Sequence, residues 1–160
     1  MNKDIISLAT EIITAARAKG LTIATVESCT GGLVSAALTE ISGSSEVFMQ
    51  GFVTYSNDAK AQAVGVQQNT LNTHGAVSKE CAMEMAQGGQ KTAAVDISVS
   101  ITGIAGPGGG SEAKPVGTVH FGLAHPNGVD HSHQVFKGSR HEVREQSVVH
   151  ALNLIKNVIG

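Results

Sequence analysis

Ser28 and Cys29 are the two side chains of this sequence best placed to act as a nucleophile. They lie in the hexapeptide ESCTGG, between a β-branched apolar run and a run with helical spacing, so we expect strand, sharp turn and helix over residues 22–41. Such a turn places the nucleophile beside free N–H groups of Thr30, Gly31 and Gly32, at the positive end of the helix dipole. The alternative is an ordinary strand-to-helix connection with a serine or threonine cap.

Lys60 is the candidate base for Ser28, because no histidine occupies a serine-hydrolase motif. It follows a predicted strand at residues 51–55, and the sites of α/β proteins usually collect at strand ends. A lysine that acts as a base must be neutral, which requires its pKa to fall well below the usual value of about 10.4. Tyr55, the only tyrosine, would relay a proton or orient the substrate. From spacing alone, a solvated lysine and a surface tyrosine are the simpler interpretation.

A second candidate feature is the glycine-rich stretch at residues 103–110, which follows another predicted strand. Loops of this kind can aim backbone N–H groups at an anion. The stretch contains no dinucleotide motif GxGxxG, and no Gly-Lys-Ser/Thr closes it as a Walker A loop would require. A long flexible connection is the alternative, but such loops are uncommon in compact domains unless they are functional. We favour a binding loop.

Three histidines are the candidate ligands for a metal ion. His131 and His133 alternate along one predicted strand, and the hairpin register would put His120 near them on the same face. Three imidazoles could hold zinc, but no carboxylate or cysteine accompanies them at a ligand spacing. A polar sheet edge explains them more simply, so we predict no metal.

Composition favours a small-molecule function. The net charge is −2 and aromatic residues make up 3% of the chain, so the features of a nucleic-acid binder are absent. No apolar run approaches the roughly 20 residues of a transmembrane helix, so we expect no membrane partner. The chain starts without the layout of a secretory signal, and Cys29 and Cys81 are its only cysteines. We therefore expect a cytoplasmic protein with reduced thiols.

The pattern of elements predicts an α/β domain spanning residues 1–160, with a mixed sheet, helices on both faces and one antiparallel hairpin. Apolar spacing, caps and turn signals predict the elements in chain order. The first half has a helix at residues 3–19 stopped by Gly20, the strand-turn-helix at 22–41, a strand at 51–55, and a short helix capped by Asn57 or Asp58 and stopped by Gly65. The second half has a helix at 79–91 capped by Ser78, a strand at 97–102, a hairpin of 117–124 and 129–136 around an Asn-Gly turn, and a last helix after a Ser139–Glu142 capping box.

Several long motifs, in order along nearly the whole chain, resemble the CinA C-terminal domain family. They are VESCTGGLVSAALT, GFVTYSNDAK, HGAVSKECAMEMAQG, ITGIAGPGGG followed by KPVGTVHFGLA, and GSRHEVREQSVVHAL. The resemblance implies a three-layer α/β/α sandwich and hydrolysis of the carboxamide of nicotinamide mononucleotide (NMN) to nicotinate mononucleotide and ammonia, without metal or cofactor. Many family members carry a separate N-terminal domain, and this chain is similar to the stand-alone form.

The resemblance also implies roles for individual residues. The serine of the SCTGG motif, Ser28 here, would be the nucleophile, and Tyr55 and Lys60 of the YSNxAK motif would assist it. Lys60 would take the serine proton and return one to the departing ammonia, while N–H groups near Thr30 and Gly31 stabilise the oxyanion. Water would then cleave the acyl-enzyme.

The resemblance leaves the nucleotide-binding residues less defined. We assign the phosphate and ribose to Thr102, Gly103, Ala105, Gly106 and Arg140. Arg140 would be bidentate to phosphate or simply a helix-end charge. Ser139 stands where the family more often has an acid, which keeps a capping role and removes an acidic one. Glu27 would orient Lys60 or the substrate amide, or be a strand-end charge.

Two other functions remain open from the sequence. A catalytically idle nucleotide-binding or interaction module would have the same fold, although Ser28, Tyr55 and Lys60 together favour an enzyme. A cysteine enzyme would use Cys29, whose thiol at a helix N-terminus would have a lowered pKa. Exposed sheet edges in a glycine-rich, 41% apolar chain lead us to expect a homo-oligomer in either case.

Overall fold

A five-stranded mixed sheet, covered by helices on both faces, forms the centre of the molecule in the computed structural model, which describes residues 1–160. The strands are β1 (Ile23–Glu27), β2 (Phe48–Val53), β3 (Ile97–Gly103), β4 (Thr118–His125) and β5 (Gly128–Val135). The helices are α1 (Lys3–Lys19), α2 (Leu33–Thr39), α3 (Asn57–Val64), α4 (Gln68–His74), α5 (Lys79–Ala93) and α6 (Arg140–Ile159). The predicted three-layer α/β/α class is confirmed.

The sheet order β2-β1-β3-β4-β5 brings three strand ends together. β1 runs parallel to both β2 and β3, and the β4–β5 hairpin continues the sheet in antiparallel pairing. Glu27, the last residue of β1, is level with Val53 at the end of β2 and with Ile101 near the end of β3. Because parallel strands end at the same edge, the segments after β1, β2 and β3 meet there.

Two apolar clusters hold the layers together. The larger, of 23 buried residues, lies between the sheet and helices α1, α2 and α6. The smaller lies under α3, α4 and α5 and includes Met85. Helix α1 ends at Gly20 in the left-handed conformation, and α6 begins with the Ser139–Glu142 capping box, so both predicted helix boundaries are confirmed.

The two glycines inside α5 allow close packing. A Cβ at Gly88 would overlap the carbonyl of Val64 at the end of α3, and one at Gly89 would overlap Val26 and Ser98 of the sheet. The glycines therefore lower intrinsic helix propensity while they bring α5 against its neighbours.

Several predicted details differ from the structure. Strand β2 begins at Phe48 and ends at Val53, so Tyr55 lies beyond it. Ser56 caps α3, accepting a 3.0 Å hydrogen bond from the N–H of Ala59, in place of the predicted Asn57 or Asp58. The hairpin turn consists of Pro126 and Asn127, because Gly128 already pairs with His125. Helix α4 was not predicted. No helix of the structure combines the length and apolarity needed to span a membrane.

Candidate active site

A cavity of about 210 Å³ lies at the edge where β1, β2 and β3 end. It is lined by Ser28 and Cys29 after β1, by Tyr55, Asn57 and Lys60 after β2, by Thr102, Gly103 and Ala105 around the end of β3, by Ala76 and Val77 before α5, and by Arg140 of α6. The structure thus brings together most of the candidate residues that the sequence predicted.

Lys60 and Ser28 are in direct contact at the base of this site. The Nζ of Lys60 lies 3.0 Å from the Oγ of Ser28 and donates to the backbone carbonyls of Thr54, at 2.9 Å, and Tyr55, at 3.3 Å. Lys60 is only 1% exposed and Ser28 only 8%. The interpretation of Lys60 as a solvated helix residue is therefore wrong.

The surroundings of Lys60 favour its neutral form. Burial lowers the pKa of Lys60 below the ordinary value of 10.5, and no carboxylate contacts its Nζ to offset that effect. A neutral amine has two N–H donors and one lone pair. With the carbonyls of Thr54 and Tyr55 accepting the two N–H groups, the lone pair is left for the hydroxyl proton of Ser28.

The turn after Ser28 uses most of its backbone donors internally. The N–H of Ser28 donates to the carbonyl of Ile101 on β3, and the N–H of Gly31 donates back to the carbonyl of Ser28, at 3.0 Å. The N–H of Gly32 donates to the carboxylate of Glu27. Gly31 and Gly32 are therefore not the free donors that the sequence predicted. The backbone N–H groups of Cys29 and Thr30 have no protein acceptor.

Glu27 stabilises the turn from inside the protein. Its fully buried carboxylate accepts hydrogen bonds from the N–H groups of Gly32, Val34 and Ser35, and from the hydroxyl of Ser35 at 2.7 Å. The carboxylate thus caps the first turn of α2, where negative charge is favoured by the helix dipole. Neither predicted role, orienting Lys60 or orienting the substrate amide, fits these contacts. Glu27 does lie at the end of β1, as the alternative of a strand-end charge held, but its side chain is buried.

Tyr55 and Arg140 meet at the mouth of the cavity. The guanidinium of Arg140 donates to the hydroxyl of Tyr55 at 3.2 Å and to the carbonyl of Gly106 at 2.8 Å. Tyr55 is 60% exposed, and its hydroxyl has no bond to Ser28 or Lys60. The structure therefore does not support a proton relay through Tyr55, while its place at the mouth agrees with a role in orienting a ligand.

The other residues assigned to the nucleotide occupy different positions. Gly103 and Ala105 line the cavity, whereas Gly106 contributes its carbonyl to Arg140. Thr102 also lines the cavity, but its hydroxyl donates to the carbonyl of Ala76 at 2.9 Å. That bond joins β3 to the segment before α5 and shapes the cavity wall.

Cys29 lacks the properties of a catalytic thiol. Burial, with a smaller contribution from the neighbouring Glu27, raises its pKa to about 11. At neutral pH the thiol is protonated and is a weak nucleophile. The prediction of a lowered pKa at the helix N-terminus is wrong, because burial outweighs the nearby positive groups.

Arg144 is a site residue that the sequence analysis did not single out. Half-buried on α6, it donates from Nε to the carbonyl of Cys29, at 3.0 Å, and from a terminal nitrogen to the carbonyl of Thr30, at 3.3 Å. The only sequence signal was its spacing, four residues after Arg140, which puts both arginines on one face of α6.

The three histidines of the hairpin lie together on β4 and β5 but stack as parallel rings. His120 and His133 are 4.4 Å apart between ring centroids with their planes 1° apart, and the Nδ1 of His120 lies 2.9 Å from the Nε2 of His131. Burial, followed by the two neighbouring imidazoles, lowers the pKa of His120 to about 4. Nitrogens in stacked rings do not converge on one point, and the structure contains no metal-binding group of three or more such side chains.

Comparison with known proteins identifies the family of this chain. The family model described as CinA C-terminal domain matches residues 5–159. The chain belongs to the CinA C-terminal domain family. A crystal structure described as competence/damage inducible protein CihA from Agrobacterium tumefaciens is 46% identical to the chain, with a TM-score of 0.98, and the match covers 100% of this chain and 98% of that one.

The relatives with curated names include two amidohydrolases and one longer competence-damage protein. Nicotinamide-nucleotide amidohydrolase PncC of Escherichia coli K12 is 48% identical over 96% of this chain and 94% of its own length, and the protein of that name from Enterobacter agglomerans is 51% identical over 91% and 89%. A putative competence-damage inducible protein of Acetivibrio thermocellus is 48% identical over 87% of this chain, which corresponds to 34% of that longer protein. The CinA domain thus occurs in relatives of very different length.

Proposed function

We propose that this protein hydrolyses the carboxamide of NMN, giving nicotinate mononucleotide and ammonia, with Ser28 as the nucleophile and Lys60 as the base. The observation that carries the proposal is the 3.0 Å contact between Lys60 Nζ and Ser28 Oγ in a cavity at the sheet edge. The enzyme class is that of the two relatives named nicotinamide-nucleotide amidohydrolase, which are 48% and 51% identical.

The first half of the reaction forms an acyl-enzyme. Neutral Lys60 takes the hydroxyl proton as Ser28 Oγ attacks the amide carbon, and the carbonyl oxygen of the substrate becomes an oxyanion. The N–H groups of Cys29 and Thr30, which have no protein acceptor, are the donors for that oxygen. The carbon–nitrogen bond then breaks, and the proton held by Lys60 goes to the departing ammonia.

The second half releases the acid. Lys60, neutral again, takes a proton from water as the water oxygen attacks the ester carbon of acylated Ser28. The ester bond breaks, the proton returns to Ser28 Oγ, and the carboxylic acid of nicotinate mononucleotide leaves. One water is consumed and one ammonia is produced for each amide, so the cycle balances with water as the second reactant and without an oxidant or reductant.

Arg140 provides a positive charge that binds the phosphate of the nucleotide. Its guanidinium lies at the mouth of the cavity, where Gly106 and Tyr55 hold it in place. A planar guanidinium can donate two parallel hydrogen bonds to a phosphate. Gly103 and Ala105 line the adjacent wall, against which the ribose would lie. Phosphate binding at the mouth would direct the pyridine carboxamide inward to Ser28.

The proposal extends to the cellular location and the oligomeric state of the enzyme. Its two free thiols, Cys29 and Cys81, fit a reducing cytoplasm. The edge strand β2 exposes Met49 and Val53, which are 46% and 55% accessible, and such an edge suits pairing with a second copy. Light scattering of the purified protein should therefore give more than the 16.4 kDa of one chain.

The experiment that tests the function measures ammonia from the purified protein with NMN, nicotinamide and NAD as separate substrates. We expect release from NMN and a product with the mass of nicotinate mononucleotide. NMN binding by calorimetry without ammonia release would instead favour the idle nucleotide-binding module. Release from nicotinamide at the same rate would show that the nucleotide part is not recognised.

A further inference from the structure

Arg144 fixes the two peptide groups that follow the nucleophile. Arg144 and Cys29 are 115 positions apart in the sequence, yet the Nε of Arg144 donates a 3.0 Å hydrogen bond to the carbonyl of Cys29. A terminal nitrogen of Arg144 donates a second hydrogen bond to the carbonyl of Thr30. The side chain is half-buried and makes no ion pair, so these carbonyls are its polar partners. Arg144 therefore connects α6 to the turn after β1.

The orientation of a peptide carbonyl also determines the direction of the N–H group in the same peptide. In a trans peptide the C=O of one residue and the N–H of the next point in opposite directions. The peptide between Cys29 and Thr30 is trans, since the only cis bond in the chain precedes Pro107. A guanidinium that holds the carbonyl of Cys29 therefore directs the N–H of Thr30 to the opposite side of the turn.

The neighbouring peptide is fixed in a different way. The carbonyl of Ser28 accepts the N–H of Gly31 at 3.0 Å, which orients the N–H of Cys29 through the same trans relationship. The two N–H groups without a protein acceptor, those of Cys29 and Thr30, thus have separate supports. One is held within the turn, and the other depends on α6.

From these contacts we infer that Arg144 is a positioning residue for catalysis, which holds the Cys29–Thr30 peptide so that the Thr30 N–H donates to the oxyanion. This inference rests on the proposed function. Without the guanidinium, the carbonyl of Cys29 loses its only protein donor, and the peptide is free to rotate the N–H of Thr30 away from the reacting oxygen. Arginine suits the task because its planar fork reaches two adjacent carbonyls, whereas lysine offers a point charge.

The test compares Arg144→Gln and Arg144→Lys with the wild type and with Arg17→Ala, an exposed arginine paired with Glu46 on the far side of the fold as the control. Steady-state NMN deamidation gives kcat and KM separately, and thermal melting reports folding. A serine-directed fluorophosphonate provides a second readout, the rate at which Ser28 Oγ bonds to phosphorus and fluoride leaves. In the transition state of that reaction negative charge develops on the phosphoryl oxygen beside the nucleophile, so the same N–H donors should stabilise it.

We expect Arg144→Gln to lower kcat roughly 10²-fold, the size of effect seen when one oxyanion donor is removed, with KM within about twofold of the wild type. The kcat of Arg144→Lys should lie between those of Arg144→Gln and the wild type, and the kcat of Arg17→Ala should equal that of the wild type. A folded Arg144→Gln variant with unchanged kcat would overturn the inference. If that variant has no melting transition, Arg144→Lys decides: a lowered kcat supports positioning, and a wild-type kcat overturns it.

The phosphonylation rate separates this inference from the proposed function. If the wild type releases no ammonia from NMN, the proposed function fails. The role of Arg144 is still tested, because slower phosphonylation of Ser28 in Arg144→Gln supports it and an unchanged rate contradicts it.

Discussion

Lys60 Nζ lies 3.0 Å from Ser28 Oγ, although the two residues are 32 positions apart. The parallel pairing of β1 with β2 brings them together, because Ser28 follows the last residue of β1 and Lys60 lies on the helix that follows β2. The lysine is 1% exposed at this contact, and burial lowers its pKa. Strand topology therefore provides the contact that the proposed serine–lysine pair needs, and burial at that contact favours the neutral lysine.

The rate of NMN deamidation should rise with pH through one ionisation. In the proposed mechanism Lys60 acts in its neutral form, and burial lowers its pKa, so the midpoint of kcat/KM should lie below the ordinary value of 10.5. Lys60→Arg should abolish this rise and lower the rate roughly 10²- to 10⁴-fold. The exposed Lys91→Met variant should keep the wild-type profile. A Lys60→Arg variant that keeps both rate and profile would rule out this base.

Lys60→Met should make the protein more stable at neutral pH while it removes activity. The folded-state pKa of Lys60 is lowered, so the unfolded chain binds an extra proton between that pKa and 10.5, and stability rises with pH across this interval. At pH 7 the wild type carries the cost of its buried amine, which methionine avoids. Differential scanning calorimetry should show a higher Tm for Lys60→Met at pH 7, with the difference shrinking towards pH 10.5. A lower Tm at pH 7 would contradict the assignment.

Arg140→Ala should weaken binding of the phosphate. We expect kcat/KM for NMN to fall roughly 10- to 100-fold, mainly through KM, since a charge-assisted hydrogen bond is lost. Nicotinamide riboside, which lacks the phosphate, serves as the matched substrate, and the variant should process it at the wild-type rate. An equal loss with both substrates would show that Arg140 does not read the phosphate.

Glu27→Gln should destabilise the fold and slow the reaction. The amide nitrogen would face backbone N–H groups of α2 that now donate to a carboxylate, so we expect a loss of about 1–3 kcal/mol in unfolding free energy. Urea unfolding measures it, with the exposed Glu112→Gln as the control. Equal unfolding free energies for the two variants would contradict the capping role of Glu27.

Local signals explain which parts of the fold were predictable from sequence. Gly20, Ser78 and the Ser139–Glu142 pair act within one helical turn, and each marks the boundary that the structure has. Helix α4 has no side-chain cap and has Leu71 as its only large apolar residue, so its local pattern was too weak to predict. Its position depends on packing of Leu71 in the smaller apolar cluster.

The candidate site shows the same division. The strand-turn-helix around Ser28 is a local pattern and was predicted. The burial of Lys60 depends on how three strands and α3 pack, which spacing in one helix does not show. The predicted role of Glu27 was wrong because the hydrogen-bond partners of its carboxylate lie in the next helix. The contact of Arg144 with Cys29 depends on where the last helix packs, which the sequence does not show.

Ammonia release from NMN by Ser28→Ala, measured beside Cys29→Ser, tests the central claim most directly. The two residues are adjacent and both line the cavity, so the variants differ in which nucleophile is removed. We expect Ser28→Ala to lose activity on the order of 10³-fold or more, as in other enzymes with a serine nucleophile, while Cys29→Ser keeps a rate near that of the wild type. Activity that survives in Ser28→Ala and disappears in Cys29→Ser would contradict the serine–lysine mechanism.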